Sequence, residues 1–185
     1  NKNDVTLIGT HLENELIKKI KANKNTHPAL NVALPTNLKI EKYEKLNSIL
    51  SSKPDIIVAA ISSVGIEWFV EQISNYYSKN LPIILLTKGL AIVDNELSTL
   101  SNKIKNLLIK KGHKEINISA IKGPCLAAGL ANKMRTGTVI ANPVIKEAEK
   151  LKKIISTVYY STEISDDLTG VELSGAIKNI YSMLI

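Results

Sequence analysis

The residue best placed to do chemistry in this 185-residue chain is a lysine near its end. Residues 167–185 read DLTGVELSGAIKNIYSMLI, and Lys178 stands there with Ser174 and Gly175 one helical turn back. Tyr181 and Ser182 lie one turn forward. Gly and Ser are poor helix formers, a Gly inside a helix costing about 1 kcal/mol against Ala. Small residues beside the amine therefore leave room for a reacting group to approach. The plain alternative is a solvated lysine, since Lys and Arg together number 24. Other reactive types are sparse. His11, His27 and His113 fall in predicted loops without metal-ligand spacing, which argues against a metal site. Cys125 follows Pro124 at a helix start, where a thiol can be activated, but no partnering base is evident.

The element that carries Lys178 has its own signals. Thr169 with Glu172 three residues later is a capping-box pattern, which predicts a helix beginning near Gly170. Leu173, Ala176, Ile177, Ile180 and Leu184 recur at helical spacing and predict its core-facing stripe.

Upstream, short apolar runs alternate with helical patterns. Strands are predicted over 4–8, 55–61, 83–87, 116–121, 138–141 and 157–161. Helices are predicted over 12–22, 42–50, 65–77, 96–111 and 125–133, then one from Pro143 as first residue to about 155. Residues 23–37 read as a loop. The runs DIIVAAI and IILLT are apolar on both sides, as strands buried in a parallel sheet are. The alternation predicts an α/β sheet with parallel crossovers. Ligands bind outside the carboxyl ends of such strands. That rule selects Gly9-Thr10-His11, Ser62-Ser63, Thr87-Lys88-Gly89 and Lys122-Gly123-Pro124-Cys125.

The bulk numbers exclude several classes. The apolar fraction is 44%, and no run approaches the about 20 residues of a membrane span. A single cysteine forbids an internal disulfide, and with no secretion signal the cytoplasm is the expected compartment. The net charge of +7 rests almost wholly on lysine, Arg135 being the one arginine, with one Trp and one Phe. Nucleic-acid readers favour Arg forks and aromatic platforms, so no nucleic acid is expected. A basic chain can still draw in a small anion. The last helix lacks a stop signal, and the chain opens without Met almost directly on a strand. Both features predict a piece of a longer protein.

A strand ending in Thr87-Lys88-Gly89, then Gly123-Pro124-x-x-Ala127, then Gly170-x-Glu172-x-x-x-Ala176-x-Lys178-Asn179 resembles the NAD(P)-dependent glycerol-3-phosphate dehydrogenases. The opening VTLIGTHLENELIKKIKANKNTHPALNVALP is similar to that family's second strand and the segment after it. The resemblance implies a Rossmann-like, mostly parallel sheet flanked by helices over 1–165. Residues 166–185 would be the first helix of an all-α substrate domain. It implies Lys178 as general base, Lys88 in contact with substrate and cofactor, and Gly123 and Cys125 against substrate. Asn179 would help bind the substrate phosphate. Ala127 would approach NAD or NADP through its backbone, and Thr10 and His11 would lie near the adenosine ribose. Ser62 is a further cofactor contact, although a strand-end turn explains it equally. A small phosphorylated substrate and a homodimer are implied as partners.

An amine with an ordinary pKa of about 10.4 is a poor base at neutral pH. Burial and a second cation, here Lys88, would bring Lys178 toward the about 7–8 useful for proton transfer. Departures from the family pattern are Cys125, where Ser, Thr or Asn is common, and Gly129, where Glu is usual. No G-x-G-x-x-G is present, so the excerpt alone is expected to be inactive. Related hydroxy-acid dehydrogenases set Lys and Asn four apart, whereas Ser182 is four after Lys178 and Asn179 is adjacent. A non-catalytic Rossmann-like binding module is the other alternative. Thr10 is neither acid nor Arg, so NAD and NADP both remain open.

Overall fold

The computed structural model describes residues 3–30, 32–78 and 81–183, with side chains as far as Lys178. Along these residues β1 (Thr6–Ile8) leads to α1 (Asn14–Ala22), then β2 (Thr26–His27), β3 (Val32–Ala33), β4 (Lys39–Glu41) and α2 (Leu46–Ser51). β5 (Ile57–Ala59), α3 (Ile66–Ile73), β6 (Ile83–Leu85), β7 (Leu90–Val93), β8 (Glu96–Thr99) and α4 (Leu100–Lys110) come next. The chain continues with β9 (Ile118–Lys122), α5 (Ala127–Ala131), β10 (Thr136–Ala141), α6 (Ile145–Ile155), β11 (Tyr160–Ser165) and α7 (Leu168–Met183).

The main sheet has the order β11-β10-β9-β6-β5. β5, β6 and β9 are parallel neighbours, and β10 and β11 pair in parallel. Only the β9–β10 ladder is antiparallel within this sheet. β1 and β4 make a separate parallel pair. β6 is buried along its whole length, with helices on both faces, whereas β5 at the sheet edge leaves Val58 51% exposed, so the burial on both sides expected of DIIVAAI is not found there. Ile83 and Leu85 pack with Phe69 and Val70 of α3 and with Ile104 and Leu108 of α4. Ile84 points the other way, into Ile121, Ile140, Ala148 and Leu151 beneath α6. Burying each such side chain contributes roughly 1.5–3 kcal/mol.

Several predicted boundaries shift, each for a local reason. The helix predicted over 96–111 begins only at Leu100, because Glu96–Thr99 pairs with β7 as a hairpin. Its two-residue turn, Asp94-Asn95, has φ of 50° and 66°, the conformation tight hairpins require. Thr99 Oγ1 then accepts from Asn102 N at 3.3 Å and caps α4. The predicted 23–37 loop contains the small β2–β3 hairpin, and residues 42–50 divide into a 3-10 turn and α2. Pro143 precedes α6, which starts at Ile145. The predicted 157–161 strand starts late, at Tyr160, since Thr157 Oγ1 accepts from Tyr160 N and forms a turn.

The last helix departs most. Asp167, not Thr169, caps it: Asp167 Oδ1 accepts from Gly170 N at 2.7 Å. A Cβ at Gly170 would collide with that carboxylate. Glu172 does not reach back to complete a capping box. It is 1% exposed and accepts from the backbone N–H of Ser101 at 3.2 Å, and also from the Ser101 hydroxyl. The face turned to the protein thus carries Glu172, and Leu173 of the predicted apolar stripe is 36% exposed. Ala176 and Ile177 are half-buried, and the side chains of Ile180 and Leu184 lie outside the described residues.

Gly123, just past β9, has φ +156° and runs so close to β10 that a Cβ would sit 2.8 Å from Thr138 Cα and 2.9 Å from Gly137 O. Both are backbone atoms with no freedom to move aside. Gly123→Ala should therefore cost roughly 1–3 kcal/mol by overpacking, read as a lowered urea midpoint. An unchanged midpoint would contradict the close approach.

Candidate active site

Three of the four strand-end turns selected by sequence come together. After β6 the chain leaves through Thr87, Lys88 and Gly89, and Thr87 Oγ1 donates to the Ile61 carbonyl at 2.8 Å. That bond fastens the turn to residues 61–63, just past β5. Gly89 has φ +132°, and a Cβ there would stand 3.3 Å from Ser63 Cβ. Glycine is needed for both the backbone conformation and the contact.

Lys122 completes the group from β9. Its Nζ donates to the carbonyls of Thr87 at 2.5 Å and Leu85 at 3.3 Å. Its stem runs under α7, where a Cβ on Gly175 would lie 3.1 Å from Lys122 Cδ and Cγ. The space that the sequence assigns to a group approaching Lys178 is thus filled, at Gly175, by the Lys122 methylenes. Burial pushes the Lys122 amine down from 10.5 to about 8, with Glu172 opposing the shift and Lys88 adding to it.

The other expected site residues differ in exposure and surroundings. Lys88 is exposed, on the turn that Lys122 holds. Ser62 is exposed and precedes a 3-10 turn over 63–65. Cys125 is half-buried near Tyr160, whose phenol burial pushes up, its hydrogen bond to Thr138 lowers and the neighbouring thiol raises. Ala127 is exposed and opens the five-residue α5. Gly129 has room for a side chain, Met134 Sδ being 3.8 Å from an added Cβ. Lys178 is exposed, three residues beyond Gly175, hence about 4.5 Å further along the helix axis. Asn179 lies in α7, its side chain outside the described residues.

Thr10 and His11 come after β1, in the separate pair. The His11 ring lies 5.4 Å from Trp68 in the first turn of α3 and 6.0 Å from Tyr43. The turn there is closed by Glu13, whose carboxylate accepts from Thr10 N at 2.8 Å. An N–H that could face a phosphate is thereby occupied by an acid. Among the described residues, no three His, Cys, Asp or Glu could share a metal ion. Nor is any described helix long and apolar enough to cross a membrane.

Sequence reasoning missed Lys122, Glu172 and Ser101 as a buried polar group. The available signal was the period of β9, which puts Lys122 on the same face as Ile118 and Ala120. The pH dependence of stability reads this burial. Between about pH 8 and about 10.4 the unfolded chain holds the Lys122 proton that the folded chain has released. This group's contribution to stability accordingly rises with pH across that window, by about 3 kcal/mol. Urea unfolding of the intact protein at about pH 7 and about pH 10 should show that gain, and Lys122→Met should lack it. Identical pH dependence in the two proteins would refute the burial.

Comparison with known proteins places this arrangement. Residues 1–148 match the family described as NAD-dependent glycerol-3-phosphate dehydrogenase N-terminus. The chain is 32% identical over 185 residues to the NADP(+)-dependent glycerol-3-phosphate dehydrogenase of Archaeoglobus fulgidus, covering 100% of this chain and 53% of that protein. It is 30% identical over 186 residues to the glycerol-3-phosphate dehydrogenase (NAD(P)+) of Rickettsia prowazekii, covering 99% and 54% respectively. The crystal structure of glycerol-3-phosphate dehydrogenase from Coxiella burnetii shares the fold, with a TM-score of 0.81 at 20% identity over 97% of this chain and 52% of that one. The chain spans about half the length of the curated relatives it matches. By its match over residues 1–148, this chain belongs to the N-terminal family of NAD-dependent glycerol-3-phosphate dehydrogenases.

Proposed function

We propose that the chain is the nucleotide-binding part of an enzyme that interconverts glycerol 3-phosphate and dihydroxyacetone phosphate. Residues 1–165 form the dinucleotide domain in this reading, and 166–185 begin a helical substrate domain. The observation that carries it is the meeting of the turns after β5 and β6 with the end of β9, in a chain of this family. Ligands of open α/β sheets bind at such carboxyl ends.

NAD or NADP fits part of this surface. The turns after β5 and β6 lie close together at Gly89 and Ser63, and Ser62 and Lys88 on those turns would contact the bound ring. Thr10 and His11 would hold the ribose end and Ala127 the backbone side. The bound nicotinamide supplies or accepts the hydride. The protein's own part is proton transfer and charge. Lys178 takes the proton of the substrate alcohol in oxidation and returns it to the carbonyl oxygen in reduction. Lys88 offers a second cation to the anionic substrate. Gly123 permits close approach of substrate, while Cys125 and Asn179 contact its polar groups. The enzyme is a homodimer of the cytoplasm in this reading.

The test is a nicotinamide absorbance assay on the intact protein with dihydroxyacetone phosphate and each reduced cofactor. Turnover is expected with at least one cofactor, and none with either would reject the reading. Lys178→Ala should lower kcat by roughly 10²–10⁴-fold, the usual contribution of general acid–base catalysis, while cofactor affinity stays put. Near-normal turnover in that variant would remove Lys178 from the mechanism.

A further inference from the structure

Lys122 has no part in the chemistry just described, yet the protein buries it to 4% exposure at the point where three strand ends meet. The groups around it are few. From β6 and its turn come two carbonyls, those of Leu85 and Thr87, and one charge, Lys88. From α7 come the Glu172 carboxylate and the bare face of Gly175, with Lys178 one turn further on. α4 contributes Ser101, which hydrogen-bonds the same carboxylate through its N–H and hydroxyl. β10 sets Val139 opposite Lys122 and brings no charge between Thr136 and Ala141.

One side chain therefore touches both segments that carry the two lysines of the proposed reaction. Its ammonium holds the carbonyl of Thr87, the residue immediately before Lys88. Its methylenes seat Gly175, three residues before Lys178. A shift of either contact moves one amine relative to the other.

We propose that Lys122 is a positioning residue, a buried strut that sets the distance between the Lys88 turn and the Lys178 helix. The proposal rests on the functional reading above. It also explains the glycine at 175, since any larger residue would press on the Lys122 stem. Proximity effects make such struts matter kinetically, because a misplacement of about 1 Å can cost roughly a hundredfold in rate.

Two variants of the intact enzyme test it, each with hydrogen exchange and steady-state kinetics. In Lys122→Met, amides of residues 86–90 should exchange faster, with those of β11 unchanged. kcat for dihydroxyacetone phosphate reduction should fall roughly tenfold to a hundredfold while cofactor Kd holds. Gly175→Ala keeps the charge and favours helix, so melting should not fall, but kcat should drop several-fold as the stem is pushed aside. That split separates positioning from folding, and it stands even if Lys122→Met fails to fold. Unchanged exchange at 86–90, or faster exchange with wild-type kcat, overturns the proposal; so does a wild-type kcat in Gly175→Ala. If the wild-type enzyme turns over no dihydroxyacetone phosphate, the functional reading fails, and exchange alone then decides whether Lys122 is a strut.

Discussion

A lysine that is 4% exposed must find its hydrogen bonds and its counter-charge inside the protein. Lys122 finds the first in the carbonyls that end β6 and the second in Glu172, itself 1% exposed. Glu172 in turn uses its remaining capacity on Ser101 at the start of α4. Removing Glu172 would take away the one charge that opposes the lowering of the Lys122 amine and leave Lys88 to add to it. The network constrains geometry. β9, the turn after β6, α4 and α7 must all keep their places for it to be satisfied.

The rest of the candidate site is arranged around backbone that runs unusually close. Gly123 lets β9 turn away against the backbone of β10, and Gly89 lets the turn after β6 lie on Ser63. Gly175 lets α7 settle on the Lys122 stem. In each place the missing side chain brings a second element within reach of the strand ends. The antiparallel insertion of β10 beside β9 is what puts Thr138 and Tyr160 near Cys125.

Much of this was legible in the sequence for a simple physical reason. A strand with apolar neighbours on both faces favours an unbroken apolar run, so IILLT declares itself. The strand-end rule then points to Ser62, Lys88 and Gly123 without any knowledge of packing. What stayed hidden depends on tertiary partners. Leu-Ala-Ile-Val and Glu-Leu-Ser-Thr pair only because Asp94 and Asn95 accept positive φ, while the second run reads equally well as a helix start. Glu172 fits a capping box by spacing, but a partner 71 residues away in sequence, Ser101, wins its carboxylate. Lys122 reads as a rim lysine until α7 is laid over it. Gly175 likewise reads as open space in the sequence, and it is the Lys122 stem from another strand that lies against it.

The linkage between Lys122 and Glu172 is open to direct measurement by a double-mutant cycle in urea unfolding of the intact protein, using Lys122→Met, Glu172→Ala and the pair. The account predicts that the double variant loses about 0.5–3 kcal/mol less than the sum of the single losses, as charges that act on each other through a buried site do. Additivity within about 0.5 kcal/mol would mean that the two charges do not support each other, and the buried strut would go with them.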